Sequence, residues 1–467
     1  MRLRSLLPVV AATVLLVPLA AQADLGAPAP VAFPDEAGTQ GTPAEGSGVD
    51  LTPTSNWSYK GGTDLEFATI GKRDYAIAPS ERVTGGIGAL RIFDLTANPA
   101  KPPLVGFLPC NVTQNDVQVR GTIVFMGVDG GVSDTDCFTQ AGAKPGLGVI
   151  AVDISNPRKP RGIGFMPIKY GAHNSTLHPS GDFLYVSDSE LTPKAGEAAG
   201  SQLGRINVID IRNVRKMKEV FTLPLPTGLS SHDLTFNKKG TRGYSAALTQ
   251  TLILDTTDAG KPSIITTILD PAVNISHGAD ITPDEKHLLI TDEQAGAAAN
   301  GVCNVGGVHV YDIGVELAPV KVGYYPFNPV NSLAATANSG NLTCTAHVLD
   351  FGPTGKTFSN AGYAAGVRIV DASALIGMPK ELASFTALDA DTWSAKQYKN
   401  KRYLFANDLA RGFDVFEHVP GLGAVDTRTA MQQRYNVRRL GTTTFMDGAW
   451  CAEPKAAAAP AKASHTH

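Results

Sequence analysis

The chain has no run of Lys and Arg, and its 40 basic residues are nearly matched by 43 acidic ones. It therefore lacks the electrostatic footprint of a nucleic-acid binder or of a protein that docks on an anionic membrane surface. After the first 23 residues no apolar stretch approaches the roughly 20 residues that a membrane-crossing helix needs, so no transmembrane segment is expected. No nucleophile elbow, P-loop or dinucleotide fingerprint occurs in a usable setting. Gly85-Gly-Ile-Gly-Ala-Leu90 precedes a strand instead of opening a helix, and reads as a loop. Nothing supports hydrolysis by a Ser-His-Asp set.

What is present begins with Arg2 and Arg4, an apolar run from Leu6 to Ala20, and Ala21-Gln22-Ala23, the pattern of a secretory signal peptide cleaved near Ala23. The mature chain is expected to be secreted or periplasmic, where cysteines oxidise. Residues 24–55, rich in Ala, Pro, Gly and Thr, read as a flexible segment with no core of its own.

From Asn56 the chain repeats. Alternating apolar residues ending in Asp and a polar, often Pro-bearing turn recur at Leu90–Asp94, Val149–Asp153, Ile206–Asp210, Leu252–Asp255, within Gly307–Pro319 and at Val367–Asp371, with a weaker copy ending at Glu417. Each copy is the third of four short strands, so the chain predicts an all-β fold, a seven-bladed β-propeller over residues 56–418. The seventh repeat lacks a good fourth strand, because Val419-Pro-Gly-Leu-Gly follows its third. Trp57 to Lys60 is a spare strand, expected to close the last blade from the N-terminal side. Residues 419–467 form a C-terminal extension, expected to be disordered from about residue 452.

The segments Gly148-Val-Ile-Ala-Val-Asp-Ile-Ser-Asn-Pro157 and Val367-Arg-Ile-Val-Asp-Ala-Ser373 resemble the secreted bacterial proteins built from LVIVD repeats. The resemblance spans about Asn56 to Glu417 and implies an exported seven-bladed propeller; it implies no reaction.

Aligning the repeats brings His173, His232, His277 and His347 to one position at the start of the innermost strand, with Thr63, Asn115 and Trp393 at the equivalent places. Four adjacent blades would bring four imidazoles to one mouth of the central channel, a candidate centre for one Fe or Cu ion. Imidazole suits several metals, and no matching ring of carboxylates or thiolates is apparent to choose among them. Asp233, Asp280 and Asp350 are the nearest carboxylates in sequence to orient the rings. The segments His173-Asn-Ser-Thr-Leu-His-Pro-Ser-Gly181 and Ser231-His-Asp-Leu-Thr-Phe236 resemble histidine segments of the selenium-binding, methanethiol oxidase-like propellers, which implies copper. Strand alternation argues the other way. Residues two and four after each His share its face and are mostly apolar, which would make the histidines blade packing.

Long loops at Asp129–Lys144, Ser187–Leu203 and Glu293–Gly306 open on the histidine side and form a candidate binding face. Asp129 to Asp136 has carboxylates but not the spacing of a calcium loop. Two readings follow. One is a monomeric binding scaffold for a protein, glycan or small molecule at the long-loop face. The alternative is a metal-dependent oxidoreductase with the four-histidine centre, so whether the chain is an enzyme stays open. The five cysteines cannot all pair, and their blade positions predict Cys110–Cys137 and Cys303–Cys344 with Cys451 left over.

Overall fold

The computed structural model describes residues 32–133, 136–191, 196–198, 201–293, 306–327, 345–399 and 402–428. They form seven antiparallel sheets, five of them with four strands in chain order from the channel outward, while the sixth and seventh add N-terminal strands on the outside. The innermost strands are Glu66–Ile70, Thr113–Arg120, Asn174–Leu177, Leu234–Phe236, Ser276–Ile281, Leu349–Phe351 and Thr392–Gln397. The molecule is a seven-bladed β-propeller, as the repeats predict. Its core lies between blades: Phe125, Val149 and Ile163 of the second pack on Leu184, Val186 and Ile209 of the third. Among the described residues no helix is long and apolar enough to cross a membrane.

Two repeat signatures have physical causes. The recurrent Asp ends the third strand of the first six blades because its carboxylate accepts the backbone N–H two residues on: Thr96 to Asp94, Ser155 to Asp153, Arg212 to Asp210, Thr257 to Asp255, Gly314 to Asp312 and Ser373 to Asp371. That local bond closes the turn into the fourth strand. The glycine of the fourth strand is required by close approach between blades. A Cβ on Gly106 or Gly164 would overlap the carbonyl oxygen of Pro157 or Val214 in the next blade's turn.

The seventh blade closes as expected but with a longer strand. Leu51–Ser58 pairs antiparallel with Gly412–His418, from Leu51 opposite His418 to Ser58 opposite Gly412. The expected strand, Trp57 to Lys60, is thus displaced toward the N-terminus. Residues expected to be flexible are also ordered: Thr39–Gly41 adds outside Leu51–Ser58, and Gly46–Val49 joins the sixth blade between Glu381–Ala387 and Ala424–Asp426. Their small side chains hid this. Gly46 and Gly48 lie where a Cβ would overlap backbone oxygens of Thr386 and Ser384, so the glycines that made the segment look structureless allow the pairing.

Arg91, 1% exposed, pins this segment. Its guanidinium donates to the carbonyls of Glu36 and Ala37 and to Ser80 Oγ, and lies 3.9 Å from the Tyr59 ring centre. Replacing Arg91 with Ala is expected to cost about 3 kcal/mol, because buried carbonyls lose a charged donor; chemical denaturation measures it.

Cys110 and Cys137 form the predicted disulfide, joining the turn before the second blade to the short helix Asp136–Ala141. With a sequence separation of 27, its reduction should cost about 3 kcal/mol through loop entropy, checked by unfolding with and without reductant. Cys303, Cys344 and Cys451, the signal segment and residues beyond 428 lie outside the described residues.

Candidate metal centre

All four histidines are buried and neighbouring rings touch. Ring centres are 4.2 Å apart for His173 and His232, 4.2 Å for His232 and His277, and 4.1 Å for His277 and His347. At the equivalent positions, Trp393 offers its carbonyl to His347, Asn115 donates to the Ser80 carbonyl, and Thr63 is buried with its hydroxyl unpartnered.

Strand alternation does not set the direction of these side chains, because each histidine opens a β-bulge. His232 N–H donates to the Ala246 carbonyl while Ala246 N–H donates to the Asp233 carbonyl, so two residues oppose one; His347 and Val348 stand in the same relation to Ala361. His173 donates to Ser187, the partner of Asn174, and the fifth blade's ladder skips His277 between Ser276 and Gly278. A bulge re-aims a side chain. His232, His277 and His347 consequently line the channel together with residues one and three further on, which strict alternation would place on the opposite face.

The outer two rings are oriented by acceptors. His173 Nδ1 donates to Asp129 Oδ2 at 2.6 Å, and His347 Nδ1 donates to the Trp393 carbonyl at 2.6 Å. Both Nε2 atoms therefore carry lone pairs when the rings are neutral. His173 Nε2 lies 2.8 Å from His232 Nε2. Glu293 reaches the same place: its oxygens are 3.9 Å from His277 Nε2 and 3.7 Å from His347 Nε2, and Tyr363 donates to it at 2.5 Å. His232, His277 and Glu293 each place one ligand atom within 4.8 Å of the others. The Nδ1 atoms of His232 and His277 have no hydrogen-bond partner.

Burial holds His232, His277 and His347 below the usual imidazole range, helped for His232 and His277 by their neighbouring rings. They are neutral near pH 7, the form that binds metal.

Below the histidines lies a cavity of about 200 Å³. Its walls carry Asp64, Asp116 and Asp233 one residue after the aligned position, and Glu66, Asp280, Asp350 and Lys396 three after. This corrects the expectation that no carboxylate ring accompanies the histidines. Burial is the main cause that raises Asp233 to about 6 and Asp350 to about 7, and that pushes Asp116 and Asp280 well above the usual range. Lys396 is penalised by burial, yet Asp64, Glu66 and Asp350 hold it well above its ordinary value.

Sequence reasoning missed Asp129 and Glu293, the first residues of two long loops, and looked instead to Asp233, Asp280 and Asp350, which line the channel. The carboxylate layers were readable in the alignment that found the histidines, one and three columns further on.

No protein-family model matches the chain, and no curated protein matches it. Similar solved structures are propellers or proteins of low identity. The Cps50 (Swd1) β-propeller domain of Myceliophteria thermophila is 12% identical at TM-score 0.51, covering 79% of this chain and 99% of that one. A hypothetical selenium-binding protein from Sulfolobus tokodaii is 15% identical at TM-score 0.47, with 69% and 80% covered. A putative 6-phosphogluconolactonase from Bacteroides uniformis is 14% identical at TM-score 0.49, with 68% and 83% covered. The likeness is one of fold. The propeller architecture is compatible with a binding scaffold.

Proposed function

We propose that this protein is an exported LVIVD-type propeller that holds one redox-active metal ion at the channel mouth and acts as a metal-dependent oxidoreductase. The observation that carries the reading is the convergence of four bulge-aimed histidines with Glu293. Two ligand atoms that share an ion at about 2.0 to 2.2 Å are about 3 Å apart at a right angle and at most about 4.4 Å apart in line. The 2.8 Å, 3.7 Å and 3.9 Å separations fall within that range. Of these residues His232, His277 and Glu293 would form a two-histidine, one-carboxylate set, which favours Fe(II) over Cu, with His173 and His347 beside it. Asp129 and the Trp393 carbonyl would fix the tautomers of His173 and His347, and Tyr363 would hold Glu293.

Protein exported in a host supplied with both iron and copper should carry about one iron per chain by elemental mass spectrometry. A chain that is isolated with neither metal, and takes up neither when they are added, would leave the scaffold reading in place.

A further inference from the structure

One buried imidazole stands outside the metal centre. His309, 3% exposed, lies in the third strand of the fifth blade, opposite Ile290 of the second strand and Tyr324 of the fourth. Its Nε2 faces Asp292 Oδ2 at 3.8 Å and its Nδ1 faces Asp270 Oδ2 at 4.0 Å. Among the described residues neither nitrogen has a hydrogen-bond partner. Asp270 is already answered, since Lys321 and Tyr311 donate to it at 2.7 Å and 2.5 Å.

Asp292 joins three segments that carry the centre's residues. It is 3% exposed and directly precedes Glu293. Its Oδ1 accepts the N–H groups of Asn274 and Ile275, each at 3.0 Å, in the turn that leads to His277. Its carbonyl accepts the hydroxyl of Thr345, two residues before His347, at 2.6 Å. Glu293 N–H in turn donates to the Ile275 carbonyl.

The third blade shows the same device with a different donor. Asp188 stands two residues beyond the strand partner of Asn207, as Asp292 stands two beyond that of His309, and its Oδ2 accepts from Asn207 at 3.1 Å and from Arg205 at 2.6 Å. In the fifth blade those two donor positions hold His309 and Gly307, so among the described residues His309 is the one side chain within 4.0 Å that can answer the charge of Asp292 with its own. A neutral ring donates at one nitrogen and turns a lone pair to the other carboxylate, whereas an imidazolium donates at both, after a movement of about 1 Å toward Asp292. We propose that His309, as an imidazolium, is a positioning residue for the metal centre: it holds Asp292, and through that carboxylate the segments carrying His277, Glu293 and His347. The inference rests on the iron reading above. The groups around His309 are Asp292 on the second strand, Asp270 after the last strand of the fourth blade, Lys321 and Tyr324 on the fourth strand and Tyr311 on its own. With Lys321 and Tyr311 bound to Asp270, loss of the His309 proton leaves Asp292 unanswered and loosens the iron site.

The test is competition of the metal-free full chain against a chromophoric Fe²⁺ chelator, without oxygen, at pH 6 and pH 8. His309→Phe, which keeps an aromatic ring but has no donor, should weaken iron about tenfold or more at pH 6. His309→Asn, which copies the bond from Asn207 to Asp188 and does not titrate, should stay within about threefold of wild type there. From pH 6 to pH 8 the affinity of wild type relative to the Asn variant should fall at least about threefold, the ratio cancelling the proton release of the iron ligands that both chains share. A residue that served packing alone would leave that ratio constant, and the ratio decides the matter if the Phe variant does not fold. Wild-type affinity in His309→Phe, or a constant ratio, overturns the inference and leaves the iron centre standing. Wild type that takes up no iron at either pH overturns both.

Discussion

A chain lacking residues 24–60 should lose more than about 10 °C of thermal stability, or unfold without a cooperative transition in a calorimetric scan. Leu51–Ser58 supplies the fourth strand of the last blade, and without it the ring is left with an open sheet edge. Side chains add to the strand's backbone bonds. Leu51 is fully buried, Trp57 and Phe93 pack edge to face, and Tyr59 donates to Asn407. Each buried large apolar side chain contributes about 1.5 to 3 kcal/mol, and a kcal/mol is worth roughly 2 to 4 °C in a large domain. Loss of Arg91's carbonyl partners at Glu36 and Ala37 comes on top. A truncated chain with wild-type stability would mean that the ring closes through its other contacts.

The second large effect is at the histidines. His232→Ala/His277→Ala should abolish bound iron and any activity that depends on it, while the fold survives. The blades close through strands and inter-blade packing, and two neutral rings with unpartnered nitrogens add little to that. Far-UV circular dichroism should overlay wild type, while elemental analysis falls from about one iron per chain to background. Iron retained by the double variant would place it elsewhere.

The carboxylate layer predicts a pH signature. Asp280 has a folded-state pKa raised well above its unfolded value, first by burial and then by Asp233 and Asp350. A group of this kind favours the fold fully below the unfolded carboxylate range near pH 4, and that contribution is lost as pH rises through the folded pKa. Asn does not titrate. In metal-free protein the melting temperature of Asp280→Asn relative to wild type should therefore increase from pH 4 to pH 8, by roughly 5 °C in total. The difference isolates Asp280 from the neutral histidines, whose lowered pKa values act in the opposite direction below pH 6.5. An offset that does not change with pH would contradict the burial of this charge.

The propeller was legible because its signatures are local. The Asp that closes the third-strand turn of six blades and the glycine that admits the next blade act within a few residues, so they recur in sequence as plainly as in space. The histidine column was legible for the same reason. Which way it points was not, because a bulge inverts the side-chain alternation on which the packing argument relied. Asp129 and Glu293 were hidden by distance: Asp129 lies 44 residues from His173 and reaches it from the neighbouring blade, while Glu293 lies 16 residues from His277 and is returned to it by the first hairpin of their own blade. The N-terminal strands were hidden by composition, since Gly46 and Gly48 pair where larger residues would not fit.

The most direct test of the metal centre is a crystal of the iron-loaded protein measured on both sides of the iron absorption edge. One anomalous difference peak is expected at the channel mouth, about 2.0 to 2.2 Å from nitrogens of His232 and His277 and from a Glu293 oxygen, with His173 and His347 beside it. No peak there, or iron found only at surface carboxylates, would contradict it.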